Sequence, residues 1–155
     1  METAKEICVF LENKPGRLAN VCSALAARKV NITAVTISES KERSVLRLVT
    51  DNMVISRTAL KALNIPYEEM DVVLVEMRNQ PGALAQVCEQ LAHEHINIDH
   101  AYCSAGVKNG KTFGIFRVSN PPKALKVLAE SLGNRARRSP SRRPIHVMAM
   151  RRGSR

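Results

Sequence analysis

The residues from Asn13 to Ile32 occur a second time in the chain, 66 positions later, from Asn79 to Ile98. Eleven of the twenty aligned positions are identical, and they include the asparagines at both ends and the Pro-Gly pair. The chain therefore contains an internal duplication. We expect the two copies to fold in the same way.

Each copy begins with the pattern of a strand, a turn and a helix. Apolar runs at residues 7–11 and 72–77 have the length and β-branched content of buried strands. In the Asn-x-Pro-Gly turns, asparagine tolerates unusual backbone angles, proline fixes φ and glycine lacks a Cβ. Apolar residues then recur at i, i+3, i+4, i+7 and i+8, which predicts an amphipathic helix in each copy. They are Leu18, Val21, Cys22, Leu25 and Ala26, and Leu84, Val87, Cys88, Leu91 and Ala92.

The rest of each copy predicts a hairpin and a second helix. The hairpin strands are residues 33–38 and 45–50 in the first copy, and 99–106 and 112–118 in the second. Asp51 or Asn52 is the expected cap of the next helix in the first copy, and Ser119 or Asn120 in the second, where Gly133 is expected to end the helix. With a closing strand, each copy is a ferredoxin-like βαββαβ unit of the α+β class. Such a unit has an antiparallel sheet with both helices on one face.

Three segments follow from these patterns. Residues 1–70 form a first predicted domain, 71–133 a second, and 134–155 a basic tail. Domains of this size are marginally stable alone, so we expect the two to bury surface against each other. Residues 67–70 are the expected closing strand of the first domain. Either residues 145–150 close the second sheet, or that sheet has an open edge that a partner covers.

The sequence lacks the residues that several classes of function require. No nucleophile–base pair, paired carboxylates or P-loop is visible, and the four histidines and four cysteines have no metal-site spacing. We therefore expect no catalytic residues, no metal and no cofactor. The four cysteines are expected to be reduced, small hydrophobic residues of the core. No apolar run approaches the ~20 residues of a membrane span, and residues 1–6 are no signal peptide, so a cytoplasmic protein is expected.

Each copy contains a strand, then the pattern [D/N]-x-P-G-x-L-A, an amphipathic helix and an Asn-Ile pair that opens the next strand. This arrangement resembles the ACT domain. Both copies match this pattern over residues 5–133. The matching residues are Asn13, Pro15, Gly16, Leu18, Ala19, Asn31 and Ile32, and Asn79, Pro81, Gly82, Leu84, Ala85, Asn97 and Ile98. The chain most resembles free-standing tandem ACT proteins, which have no catalytic domain.

The resemblance implies a non-catalytic, allosteric regulatory protein that binds an amino acid and forms a dimer or another homo-oligomer. The implied ligand-binding residues are those of the motif: Asn13, Pro15, Gly16, Leu18, Asn31, Ile32, Asn79, Pro81, Gly82, Leu84, Asn97 and Ile98. ACT pairs also serve as regulatory subunits of amino-acid biosynthetic enzymes, so a partner enzyme is an alternative.

Helix length adds a condition to the site. The turn and the second asparagine lie at opposite ends of a helix of about 13 residues, hence roughly 20 Å apart. Asn13 and Asn31 therefore cannot hold one small ligand together. We expect Asn13 to face Asn97 and Asn79 to face Asn31, in two pseudo-equivalent sites between the copies, or between chains of a dimer. A carboxamide can accept from an α-ammonium group and donate to an α-carboxylate.

Three other interpretations stay open at this point. The asparagines are also common turn and helix-end residues. The order of elements is shared with RNA-recognition domains, although Ile115 stands where a stacking aromatic is expected. Eight of the 24 Lys and Arg residues, and none of the 14 acids, lie in residues 134–155. Such a basic run binds nucleic acid weakly or is simply a solvated tail.

Overall fold

A computed structural model of the chain describes residues 1–39, 43–104 and 110–136, with no side chains for 131–136. In this part of the chain the elements are β1 (Glu2–Glu12), α1 (Arg17–Ala26), β2 (Ile32–Glu39), β3 (Arg43–Thr50), α2 (Met53–Ala62), β4 (Tyr67–Arg78), α3 (Ala83–His93), β5 (Ile98–Cys103), β6 (Lys111–Val118) and α4 (Pro121–Ala136). The predicted β-α-β-β-α order, present twice, is confirmed.

The second helix of each copy begins at an asparagine. The Asn52 side chain accepts from the Ile55 N–H at 3.0 Å, and Asn120 accepts from the Lys123 N–H at 3.1 Å. These bonds satisfy N–H groups that the first helical turn leaves without a carbonyl. The prediction that Gly133 ends α4 was wrong, because the helix continues to Ala136. A glycine inside a helix costs only about 1 kcal/mol, which its helix-forming neighbours offset.

The six strands form one antiparallel sheet with the order β2-β3-β1-β4-β6-β5. The long strands β1 and β4 lie at its centre and pair from Glu2 with Leu74 to Val9 with Tyr67. The first half of β4 thus closes the sheet of the first copy, and its second half opens the second copy. Residues 67–70 and 72–77 belong to this one strand, while the domain boundary at 70/71 stays a prediction.

The copies are related by a pseudo-two-fold axis between β1 and β4. Lys5 pairs with Asp71. Asp71 lies 66 positions later and is the residue of the second copy that is equivalent to Lys5. The axis therefore passes between these two residues. Their side chains form an ion pair with 2.8 Å between Nζ and Oδ1, so the joint between the copies carries unlike charges.

All four helices cover one face of the sheet. Paired residues of adjacent strands point to the same face, and the pairs Ile7–Glu69 and Thr3–Val73 place the apolar rows of β1 and β4 on one side. The two helical cores are built from equivalent positions. They are Ile7, Val9, Leu11, Val21, Leu25 and Leu60 in the first copy, and Val73, Val75, Met77, Val87, Leu91 and Leu128 in the second. This arrangement is the predicted one.

The other face of the sheet is curved inward and buries a third core. Its members come from strands on both sides of the sheet: Ala34, Val49, Val72, Leu74 and Ile115, with Ala4 and Tyr102 packed against them. The edge strands β2 and β5 contact each other, although their backbones are not paired in the described residues. The sheet therefore has the shape of a nearly closed barrel with the helices outside.

Two predicted segments lie outside the described residues. They are the candidate closing strand 145–150 and nearly all of the basic tail, of which only residues 134–136 are described, as the end of α4. In the described part of the chain, no helix combines the length and the apolar character that crossing a membrane requires.

Candidate ligand site

Both Asn-x-Pro-Gly turns join a strand to a helix through a glycine in the left-handed region. Gly16 has a φ of 86° and Gly82 a φ of 83°. A Cβ on either glycine would meet no atom of the described residues within 4 Å, so the backbone angle and not the available space requires glycine. Neither helix has a side-chain cap. The N–H groups of Arg17 and Ala83 donate to backbone carbonyls of the turns. Among the described residues, the N–H groups that follow them at the starts of α1 and α3 have no side-chain acceptor, as at an anion-binding helix start.

The side chains of the first turn are paired with one another. Asn13 Nδ2 donates to Glu39 Oε1 at 2.9 Å. Glu12 accepts from Arg17 Nη2 at 2.7 Å and lies 3.1 Å from Lys14 Nζ. The hydrogen bond from Arg17, followed by that from Lys14, lowers the pKa of the Glu12 carboxyl. Charges at this turn are thus balanced within the chain.

A hollow of about 250 Å³ opens beside the second turn. The turn itself is held by the Asn79 N–H, which donates to the Gly110 carbonyl at 2.7 Å. Among the described residues, no side chain or backbone group pairs with the Asn79 carboxamide. All of its lining residues belong to the second copy. They come from the end of β4, the turn, the start of α3, the end of β5 with the residue after it, and the start of β6: Met77, Arg78, Asn79, Gln80, Ala83, Leu84, Cys103, Ser104 and Thr112.

The second asparagine of each copy lies directly before an edge strand. The Asn31 N–H donates to Asp51 Oδ1 at 3.0 Å, and the Asn97 N–H donates to Ser119 Oγ at 3.1 Å. These bonds hold the starts of β2 and β5 against Asp51 and Ser119, which directly precede the asparagines that cap α2 and α4. The Asn97 carboxamide also donates to Asp99 Oδ1 at 3.0 Å.

Strand pairing shows which predicted residues share an end of the sheet. Asn13 follows β1, whose last residues lie beside the start of β4. The end of β6 and the start of β5 lie at this same end, and so does Asn97. By the same pairing, Asn79 and Asn31 share the opposite end. Within the described residues, the carboxamides of Asn13 and Asn97 bond to acids of their own copy and not to each other.

The other predicted site residues lie around the turns. Leu18 and Leu84 are exposed for large apolar side chains, at 39% and 46%. Pro15 and Pro81 are exposed, and Ile32 and Ile98 are partly buried at the first positions of β2 and β5. Each turn thus presents a polar amide and an uncovered leucine.

A family model described as the ACT domain pair matches residues 2–134. The chain belongs to the ACT domain pair family. The resemblance inferred from the two turns is confirmed.

Solved structures agree with this assignment. A protein from Bacteroides thetaiotaomicron is 34% identical, with a TM-score of 0.77, over 84% of this chain and 89% of that one. The ligand-free regulatory subunit of aspartate kinase from Thermus thermophilus is 17% identical, with a TM-score of 0.60, over 83% and 91%. That from Thermus flavus is 16% identical, with a TM-score of 0.55, over 85% and 94%. The two Thermus proteins share the fold of this ACT pair. No curated protein sequence matches the chain.

A polar cluster inside the curved sheet of the ACT pair was missed by the sequence analysis. Glu6 of β1 is fully buried and accepts from the Tyr102 hydroxyl at 2.8 Å. His100 Nε2 lies 3.0 Å from Glu6 Oε2. Burial, followed by the charge of Glu6, raises the pKa of Tyr102 well above its usual range. The cluster connects β5 of one ACT copy to β1 of the other.

The sequence carries only a weak signal for this cluster. In the first copy Ala34 and in the second copy Val72 stand at the positions equivalent to His100 and Glu6, and both are buried. The polar contact between Glu6 and His100 therefore corresponds to an apolar pair, Val72 and Ala34, in the other half of the barrel. The partial burial of His100 depends on a sheet curvature that residue patterns do not reveal.

Cysteines and metal ligands add no further chemistry to the described site. Cys8 is buried, and this burial raises the pKa of its thiol. Cys103 is exposed at the rim of the hollow, so the expectation that all four cysteines lie in the core was wrong. In residues 1–39, 43–104 and 110–136, no three His, Cys, Asp or Glu side chains are grouped as a metal site requires.

Proposed function

We propose that this ACT pair is a non-catalytic regulatory protein that binds an amino acid between its two copies. The observation that carries the proposal is the second turn, where the Asn79 carboxamide, which has no partner among the described residues, and the start of α3 border a hollow of about 250 Å³. Asn31 of the other copy lies at this same end of the sheet. A zwitterion needs both acceptors and donors, and this combination supplies them.

The proposed sites each combine the turn of one copy with the asparagine of the other. One contains Asn79, Pro81, Gly82 and Leu84 with Asn31 and Ile32. The other contains Asn13, Pro15, Gly16 and Leu18 with Asn97 and Ile98. Two facts support this pairing: the members of each set lie at the same end of the sheet, and the edge strands β2 and β5 contact each other. The exposed leucines would pack on the aliphatic part of the ligand.

Ligand binding across the copies gives a physical route to regulation. A ligand that joins β2 of one copy to the turn of the other stabilises the closed form of the barrel, and only that form gains its binding energy. The receiver of the signal would be an amino-acid biosynthetic enzyme or a second copy of this chain in a homo-oligomer. The fold shared with regulatory subunits of aspartate kinase supports the first alternative.

Calorimetry with the twenty amino acids tests the proposal. We expect one or a few of them to bind, and Asn79→Ala or Asn31→Ala to weaken that binding about tenfold or more, because a hydrogen bond to a charged group is lost. Asn20→Ala is the matched control, since Asn20 is an exposed residue at the start of α1, at the other end of the sheet from Asn79 and Asn31. Absence of binding by all twenty, or equal affinity of the three variants, would overturn the proposal.

A further inference from the structure

The two turns of the ACT pair are equivalent in backbone but differ in charge. The Lys14 N–H donates to the Glu12 carbonyl at 2.8 Å, and the Gln80 N–H donates to the Arg78 carbonyl at 2.9 Å. The residue before the first asparagine of the motif is thus Glu12 in one copy and Arg78 in the other. The duplication makes each turn the natural control for the other.

At the first turn, the chain supplies its own carboxylate to the motif asparagine. Glu39 Oε1 accepts from Asn13 Nδ2 at 2.9 Å, which is the contact that a ligand carboxylate would make. Glu12 adds a second negative charge, and its partners Arg17 and Lys14 are already engaged with it. An anionic ligand would have to displace Glu39 and approach Glu12.

At the second turn, the positive charge is in excess. Arg78 pairs across the sheet with Lys111, and like charges in this position repel. Lys111 relieves the repulsion by its ion pair with Glu76. In the described residues no acid pairs with Arg78, which is one of the residues that line the hollow beside Asn79. The hairpin sequence 105–109 contains no acid either.

We infer that the hollow beside the second turn is the binding site that functions, and that Arg78 makes it specific for an amino acid with an acidic side chain. The inference rests on the proposed function and names the ligand class for that same site. Guanidinium groups bind carboxylates through two parallel hydrogen bonds. Arg78 then binds the side-chain carboxylate of the ligand, while Asn79 binds its α-carboxylate or its α-ammonium group.

Titration calorimetry of the full chain with L-aspartate and L-glutamate tests this assignment against their amides, L-asparagine and L-glutamine. We expect the acid of at least one pair to bind roughly tenfold to a hundredfold more tightly than its amide, at one ligand per chain. In Arg78→Gln the affinity for the acid falls to that for the amide. Arg17→Gln, at the equivalent first turn, leaves both affinities unchanged.

Two further variants separate the turns. Asn79→Ala is expected to weaken acid binding about tenfold or more, whereas Asn20→Ala, at the start of α1 beside the first turn, leaves it intact. Succinate, which has two carboxylates and no ammonium group, is expected to bind at least tenfold more weakly than the amino acid.

The outcomes distinguish the inference from the proposal beneath it. Tight binding of neutral amino acids that Arg78→Gln does not alter would overturn the inference and leave the proposed function standing. Two ligands per chain would do the same. Absence of binding by every amino acid and by succinate would overturn both.

Discussion

A carboxylate on the face of β1 away from the helices would be in water if the sheet were open, yet Glu6 is fully buried. It is retained there because Tyr102 and His100 both lie within hydrogen-bond distance of its oxygens. Buried polar groups are tolerated when their hydrogen bonds are satisfied and are costly when one partner is lost.

Glu6→Ala is therefore expected to destabilise the protein by roughly 2–4 kcal/mol, since it leaves two partly buried polar side chains without their acceptor. Urea denaturation followed by circular dichroism measures the change. Glu2→Ala removes an exposed carboxylate from the same face of the same strand and should change the free energy of unfolding by less than about 0.5 kcal/mol. Similar losses in the two variants would contradict a structural role for the cluster.

At the scale of the elements, one ion pair attaches α2 to the central strand β4. Arg57 Nε and Nη2 donate to the two Glu69 oxygens at 2.6 and 2.7 Å. The hydrogen bond from Arg57 is the main cause that lowers the pKa of the Glu69 carboxyl below its usual value, against an opposing effect of burial. The ionised form of Glu69 is therefore the one that stabilises the folded state.

The contribution of the Arg57–Glu69 ion pair to the stability of the protein is expected to decrease at acidic pH. A carboxyl whose pKa is lowered by folding stabilises the protein above its unfolded pKa of about 4.3, and this stability is lost as the pH falls through the folded pKa. We expect Glu69→Gln to lower the melting temperature at pH 7, with a difference from the parent protein that shrinks below about pH 4. Glu68→Gln, at the exposed neighbouring position, is the control. A difference that stays constant from pH 7 to pH 3 would contradict this assignment.

The elements were the most predictable part of the molecule. Periodicity located the four helices, and the duplication gave their order twice, because an apolar stripe at helical spacing fits few other structures. The end of α4 could not be predicted from Gly133, since a glycine only weakly opposes a helix. The turn residues were identified because Pro-Gly constrains the backbone strongly. Their unequal charge was visible in the sequence, but its meaning needed the contacts of Glu39 and Arg78.

For the whole molecule, residue patterns indicated that the copies meet but not how they meet. The continuous strand β4, the single sheet and the contact of β2 with β5 depend on pairing between distant segments. The curvature that buries Glu6 follows from that pairing. The ion pair of Lys5 and Asp71 on the pseudo-two-fold axis belongs to the same scale.

Lys5→Asp is expected to destabilise the protein by about 0.5–1 kcal/mol, because it places like charges directly opposite each other in the central strand pair. Adding Asp71→Lys restores the unlike pair in reversed order and should recover most of the loss. The free energies of unfolding of both single variants and the double variant give the coupling between the two positions. We expect a coupling that decreases with added salt; purely additive losses would contradict it.

The unlike charges of Lys5 and Asp71, where the two copies meet, also determine which halves of two chains can associate. If two chains exchange halves, every new joint still receives one lysine and one aspartate, so a swapped dimer keeps the native contact. If two first halves meet instead, lysine faces lysine, and two second halves bring aspartate against aspartate. A single pair of residues thus permits exchange between molecules but disfavours the association of like halves.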